Sequence, residues 1–220
     1  MAISIWAVWY NRNRLYHEGK KGRVQEVVGF IRAYLRELEQ VNSLTETRIN
    51  PREEFWKPPK AEQVKANFDA AFSQQGMTAT AGIIIINHEG LVMGACTYPL
   101  RRTGDPTTIE AKACLQAIIS EEEMGFQDLV VEGDALTVIK KLKSDLVDRS
   151  MIDNIINEIQ RKRFSFINLS FDFTPRKTNE AAHALATRGY NLTSPFYWIE
   201  EVPIEVKPTM ANDQRSFLNR

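Results

Sequence analysis

Three acidic residues stand where a carboxylate can do more than solvate a surface. Asp69 lies in a stretch where Val64, Ala66, Phe68, Ala70 and Phe72 alternate with Lys65, Asn67, Asp69 and Ala71. That period of two predicts a half-buried strand with Asp69 on its polar face, and strands are depleted in Asp. Asp134 follows the short run Leu129–Glu132, at a strand-to-helix junction. In open α/β sheets, ligands bind outside the carboxyl ends of strands. Glu110 opens a long helical segment. Carboxylates converging from two strands and a helix repel one another unless cations neutralise them. An all-oxygen ligand set suits Mg²⁺ or Mn²⁺, and Mg²⁺ usually shares its shell with substrate phosphate and water.

Each acid also has a purely structural reading. Thr107 and Glu110 spell Thr-x-x-Glu, a capping box that satisfies helix-end amides. Asp134 fits the N-cap of the helix that follows it. Asp69 on the polar face of a strand is ordinarily solvated. On spacing alone these structural readings outweigh a shared metal site.

The elements that must position these acids are legible in order. After the first strand, Gly82–Ile86 is a dense β-branched run, and Asn87-His88-Glu89-Gly90 turns into a third strand, Leu91–Tyr98. Thr108–Met124 reads as a helix, with Ile109, Ala113, Cys114, Ala117, Ile118 and Met124 facing inward. A short strand at Leu129–Glu132 leads into a helix at Ala135–Lys143, and a further helix covers Met151–Arg161. Ile167, Leu169, Phe171 and Phe173 alternate again, and a last helix runs from Glu180 to Tyr190. The order βββαβαβα predicts an α/β domain with a mixed sheet flanked by helices.

Upstream, residues 1–55 read as a helical segment. Val24, Val27, Val28, Ile31, Leu35, Leu38 and Val41 form an amphipathic stripe that must be buried on this chain or on a protein partner. Trp56-Lys57-Pro58-Pro59 forbids a continuing helix and marks a boundary, which places the main domain at residues 56–206. Residues 207–220 show no periodicity and are expected to be disordered.

Composition sets the class. Of 220 residues, 43% are apolar and 25% charged, as in a soluble globular protein. Net charge is zero, yet residues 1–60 hold 11 Lys and Arg against 7 Asp and Glu, and the remainder 17 against 21. Any grip on nucleic acid must therefore come from local patches and not from a global field. Cys96 and Cys114 sit in apolar stretches without metal spacing and read as reduced core residues. Met1–Tyr10 lacks a basic leader, and Arg12 and Arg14 follow it without a cleavage site, so no secretory signal is read. No apolar run approaches the ~20 residues of a membrane helix. An intracellular protein, in nucleus or cytoplasm, is expected.

Asn67-Phe68-Asp69-Ala70-Ala71, Glu110-Ala111-Lys112-Ala113, Glu132-Gly133-Asp134 and Asn179-Glu180-Ala181-Ala182-His183-Ala184-Leu185-Ala186 occur in that order. Together they resemble the type-1 ribonuclease H-like domains of plant proteins derived from non-LTR retroelement reverse transcriptases. Trp56–Pro59 before the first strand, and Trp198 with Pro203 after the last helix, resemble that family's borders. Trp6–Asn13 is similar to a segment upstream of the domain in the retroelement polyproteins. Each motif is weak alone; five in sequence over about 150 residues are specific.

The resemblance implies a ribonuclease H-like fold with a five-stranded mixed sheet in the order 3-2-1-4-5, the second strand antiparallel to the others. It implies that Asp69, Glu110 and Asp134 bind Mg²⁺ or Mn²⁺ and that the partner is an RNA–DNA hybrid. In that mechanism one metal activates water for attack on an RNA phosphodiester and a second stabilises the departing 3′-oxygen. The fourth position of the site is His183, four residues after Asn179, where bacterial and animal enzymes place Asp. Imidazole can ligate or position water, but brings no negative charge; alternatively, it is a helix-face histidine bonded near Asn179.

Arg176-Lys177, in the loop before the last helix, are the best candidates for phosphate contact, with Asn179 beside them. Lys140-Lys141-Lys143 and Arg161-Lys162-Arg163 read as solvated helix faces. No long basic insertion separates their helices, so the substrate-gripping arm of bacterial relatives is missing. Two functions are compatible with these residues: an active endonuclease on RNA–DNA hybrids, or a domesticated module of little or no catalysis that binds nucleic acid or protein.

Overall fold

The computed structural model describes residues 12, 24, 25, 28, 56–73, 78–100, 105–144, 151–189 and 192–218. The chain divides into two units, Met1–Arg52 and Glu53–Arg220. The expected N-terminal helix and its stripe Val24–Val41 fall, save for residues 24, 25 and 28, outside the described residues. The sheet and the helices that flank it belong to the second unit.

Three strands open that unit: β1 (Val64–Ser73), β2 (Thr78–Ile86) and β3 (Val92–Leu100). Asn87 shapes the turn between β2 and β3, its Oδ1 accepting from the amides of Glu89 and Leu91. Gly90 takes the left-handed φ of 80° that the turn requires. Helix α1 (Pro106–Met124) follows. Its N-cap is Asp105, whose carboxylate accepts from the Thr108 amide at 2.9 Å, with Pro106 in the first turn. The Thr107–Glu110 capping box is thus displaced by a better cap two residues earlier, and Glu110, expected to open the helix, lies in its second turn. Gly125, with φ 80°, ends α1. Then come β4 (Asp128–Gly133), α2 (Leu136–Lys143), α3 (Asp153–Lys162), β5 (Asn168–Phe173), α4 (Glu180–Arg188), β6 (Phe196–Ile199) and α5 (Lys207–Leu218).

The sheet order is β5-β4-β1-β2-β3-β6. β1, β4 and β5 are parallel, and β2 is antiparallel to both β1 and β3. This is the expected 3-2-1-4-5 core with one strand more. The short β-forming run Phe196-Tyr197-Trp198-Ile199 pairs antiparallel with β3, Gly94 opposite Ile199, and makes six strands of the expected five. The tail is a second correction, because Lys207–Leu218 is helical and not disordered. Val206 and Met210, one turn apart and both buried, anchor its start against Val202 and Trp56.

Helices cover both faces of the sheet. One core joins Ala66, Phe68, Ile83, Ile85 and Val131 to apolar residues of α1, α2 and α3. The other joins Ile84, Ile86 and Ala95 to Ala181 and Leu185 of α4 and to Trp56, Val206 and Met210. β1 is therefore not half-buried: its alternate residues Lys65, Asn67 and Asp69 are only 5%, 7% and 2% exposed. On α1 the inward stripe continues through Glu121, which is fully buried, while Met124, expected inside, is 44% exposed.

One backbone approach fixes where α4 lies. Gly82 of β2 pairs with Asp69 of β1, and a Cβ there would fall 2.3 Å from Ala182 O and Ala186 N. Only a glycine lets α4 rest this close to the sheet. Gly82→Ala is expected to push α4 outward, lowering stability by about 1–3 kcal/mol. It should also move His183 off Asp69. Denaturant unfolding and histidine NMR signals check both effects; unchanged His183 signals would contradict the account.

Candidate metal centre

The strand β1 carries Asp69 in its centre, Asp134 directly follows the end of β4, and α1 carries Glu110 in its second turn. Parallel pairing of β1 with β4, in the register Asn67 to Glu132, sets Asp134 beside Asp69. One carboxylate oxygen from each of Asp69, Glu110 and Asp134 lies within 4.8 Å of the other two. The structural readings of these acids do not describe them. Glu110 caps nothing, and its Oε2 is buried without a hydrogen-bond partner. Asp134 makes no side-chain cap to α2. Asp69 is not solvated but enclosed.

Crowding and burial show in the proton affinities. Burial first, then the charge of Asp134, pushes the Asp69 carboxyl up to about 6, against the lowering effect of its bond to His183. Burial, then the charges of Asp69 and Asp134, pushes Glu110 up to about 9, and Arg176 partly offsets this. The site as it stands has more negative charge than its own cations balance. An oxygen-only donor set with an orphaned buried carboxylate oxygen fits a hard divalent cation, and a cation entering would displace the proton of Glu110.

His183 of α4 reaches Asp69, its Nδ1 lying 2.6 Å from Oδ2. It does not bond to the side chain of Asn179; only the helical bond from the His183 amide to the Asn179 carbonyl joins them. Arg176, exposed in the short turn Arg176–Thr178, places Nη2 3.1 Å from Nε2 and 3.5 Å from Nδ1 of the same imidazole. The Thr178 hydroxyl, bonded to Pro175 O and to Thr174 Oγ1, holds that turn. Lys177 is exposed beside it.

Asn179, expected at the nucleic-acid surface, is 2% exposed. Its amide nitrogen donates to Phe68 O at 2.8 Å, and its oxygen accepts from Asn67 at 3.3 Å. It pins α4 to β1 next to Asp69. Of the other basic runs, Lys143 pairs with Asp172 and Lys162 with Glu122, whereas the Lys140 ammonium is buried without a hydrogen-bond partner among the described residues, so that the first run is not simply a solvated helix face.

Two contributors carry little signal in the sequence. Gly82 sits within an apolar run, although an isolated glycine in a strand is a sign of close backbone approach. Asn67 reads only as a polar-face residue, yet it links β1 to Asn179 and, at 3.5 Å, to Glu132. Cys96 and Cys114 are free and buried, as expected. No helix among the described residues is long and apolar enough to cross a membrane.

Residues 67–189, more than half of the chain, match the family described as reverse transcriptase-like. No curated protein sequence matches the chain. Among solved structures, RNase H1 from the halophilic archaeon Halobacterium salinarum is similar at 26% identity and a TM-score of 0.53, over 57% of this chain and 96% of that one. LC11-RNase H1, solved in complex with an RNA/DNA hybrid, is similar at 15% identity and a TM-score of 0.52, over 58% and 96%. The N-terminal RNase H domain of a Mycobacterium tuberculosis protein shares 14% identity with a TM-score of 0.53, over 59% and 94%. The chain has the α/β ribonuclease H-like fold that these share.

Proposed function

The chain belongs to the reverse transcriptase-like family, and from that membership we propose that it is a metal-dependent endonuclease acting on the RNA strand of RNA–DNA hybrids. The observation that carries this reading is the convergence of Asp69, Glu110 and Asp134 within 4.8 Å, with a buried Glu110 oxygen that has no hydrogen-bond partner among the described residues. The two ribonucleases H1 to which the fold is similar support the substrate class, one of them having been solved with a hybrid bound. The motif set further supports derivation from a plant non-LTR retroelement.

In this reading the three carboxylates hold Mg²⁺ or Mn²⁺. Such ions supply Lewis-acid stabilisation of a phosphate and a water acidic enough to attack it. The chain's own groups do the rest. Arg176 and Lys177, exposed at the rim, neutralise the phosphates on either side of the cleaved bond and set its register. The enclosed floor of Asp69 keeps bulk water from competing with the carboxylates. With one small basic turn and no arm, hybrid affinity is expected to be weak and steeply salt-dependent, or to be raised by a partner bound to the N-terminal segment.

The test is a labelled RNA–DNA hybrid incubated with the purified chain in Mg²⁺ and in Mn²⁺. Cleavage of the RNA strand leaving 5′-phosphate ends is the expected result, with Mn²⁺ the better ion. Single-stranded RNA and duplex DNA should survive. One observation favours a second reading, a domesticated binding module: the fourth position is a histidine already engaged by Asp69. Hybrid bound but uncut in either ion would establish it.

A further inference from the structure

We infer that His183 is a positioning residue for Asp69 and not a ligand of the metal. The inference rests on the metal-centre reading of Asp69, Glu110 and Asp134. His183 Nδ1 lies 2.6 Å from Asp69 Oδ2. An ionised carboxylate can only accept, so at this distance Nδ1 is placed to be the donor. A ring nitrogen that carries a proton has no lone pair for a cation. Nε2 lies on the other side of the ring and points away from the carboxylate that Nδ1 holds.

Arg176 closes the remaining approach. Its Nη2 is 3.1 Å from Nε2 and 3.5 Å from Nδ1. An atom on the in-plane lone-pair axis of Nε2 would be much farther from Nδ1 than from Nε2. Nearly equal distances therefore place Nη2 over the ring face, beside both nitrogens. A fixed positive charge there opposes a second cation at the imidazole. Among the described residues, the oxygens that converge within 4.8 Å belong to the three carboxylates, and no nitrogen of His183 is with them.

The roles usual in metal sites are thus exchanged. More often a histidine ligates and a carboxylate orients it from behind; here the carboxylate ligates and the histidine orients it. The Nδ1–H bond fixes rotation of the Asp69 carboxylate about its last bond, and Arg176 fixes the plane of the ring. The 37% exposure of the His183 side chain leaves it open to substitution without opening the core.

The experiment pairs NMR of ¹⁵N-histidine protein with Mn²⁺ calorimetry. In metal-free wild-type protein, Nδ1 of His183 should carry the proton, with a downfield, exchange-protected signal, and adding Mg²⁺ should leave it protonated. Mn²⁺ affinity should fall roughly 10- to 100-fold in His183→Ala. His183→Asn, whose amide can still donate, should recover most of that loss. Loss of the Nδ1 proton with a metal-induced ring-nitrogen shift would overturn the inference. So would His183→Ala binding Mn²⁺ as tightly as wild type, or His183→Asn binding no better than His183→Ala. Wild-type protein that binds no Mn²⁺ would instead overturn the metal centre, and the Nδ1–H signal of the metal-free protein would still decide the pairing.

Discussion

Asp69→Asn is expected to reduce hybrid cleavage on the order of 10³-fold or more, about 4 kcal/mol of transition-state stabilisation, while the metal-free protein becomes more stable. The two effects have one cause. Asp69 and Asp134 crowd negative charge into one buried volume, which also holds the Glu110 proton in place, and a bound cation would relieve this tension. Asparagine keeps the size, and its amide oxygen still accepts from His183 Nδ1–H, so packing is undisturbed.

The sign of the stability change follows from the raised proton affinity. Asp69 moves from an ordinary 3.8 to about 6 on folding. A carboxyl whose folded value is raised binds its proton more tightly in the native state. Native stability is then greatest below the unfolded value and declines as pH rises from about 4 to 6. Above pH 6 the ionised group destabilises the fold by up to about 3 kcal/mol, which Asp69→Asn removes. Thermal melts at pH 7.5, with and without Mn²⁺, check this. Wild type should gain stability with the ion, and the variant should start higher and gain little. A variant that melts well below wild type would show that Asp69 is a structural residue.

The parts of this centre differ in how far the sequence discloses them. The strand positions of Asp69 and Asp134 follow from local periodicity, because alternation and a strand-to-helix break are properties of a few neighbouring residues. What encloses Asp69 does not. Its strand reads as half-buried because Lys65 and Asn67 share its face, but α4, far along the chain, and Trp56, just ahead of the strand, cover that face. Lys65 is drawn under by an ion pair to Glu132 at 2.8 Å and by the Trp56 ring. Burial of a polar face depends on long-range pairing that alternation cannot report. Asn179 illustrates the same limit: beside Arg176 and Lys177 it reads as part of a nucleic-acid surface, whereas its hydrogen bonds to β1 turn it inward. The β6 strand and the helix Lys207–Leu218 escape because four residues, and a stripe of two apolar positions, are too short for a periodic signal.

Glu121 escapes for a further reason, and it carries the other large effect. In sequence it opens Glu121-Glu122-Glu123, which reads as a solvated run, yet its spacing from Cys114, Ala117 and Ile118 puts it on the buried stripe of α1. It is 0% exposed, and neither carboxylate oxygen has a hydrogen-bond partner. Burial alone pushes its carboxyl up to about 8 from an ordinary 4.5. The sign is that of Asp69: the folded state holds the proton, so stability falls as pH rises from about 4.5 to 8. At pH 7 the penalty approaches about 3 kcal/mol, and near pH 4.5 it vanishes. Glu121→Leu is therefore expected to stabilise the protein by an amount that grows with pH, small at pH 5 and about 2–3 kcal/mol at pH 7. Glu121→Gln separates the charge from the shape. It should flatten the pH dependence as Leu does but gain less, because its amide is still buried without partners. Urea unfolding of the three proteins at pH 5, 6, 7 and 8 decides the matter. Neither variant touches Asp69, Glu110 or Asp134, so a common pH slope from those acids subtracts out. Curves for wild type and Glu121→Leu that run parallel across this range would mean that Glu121 finds solvent or a partner, and the account of α1 would fail.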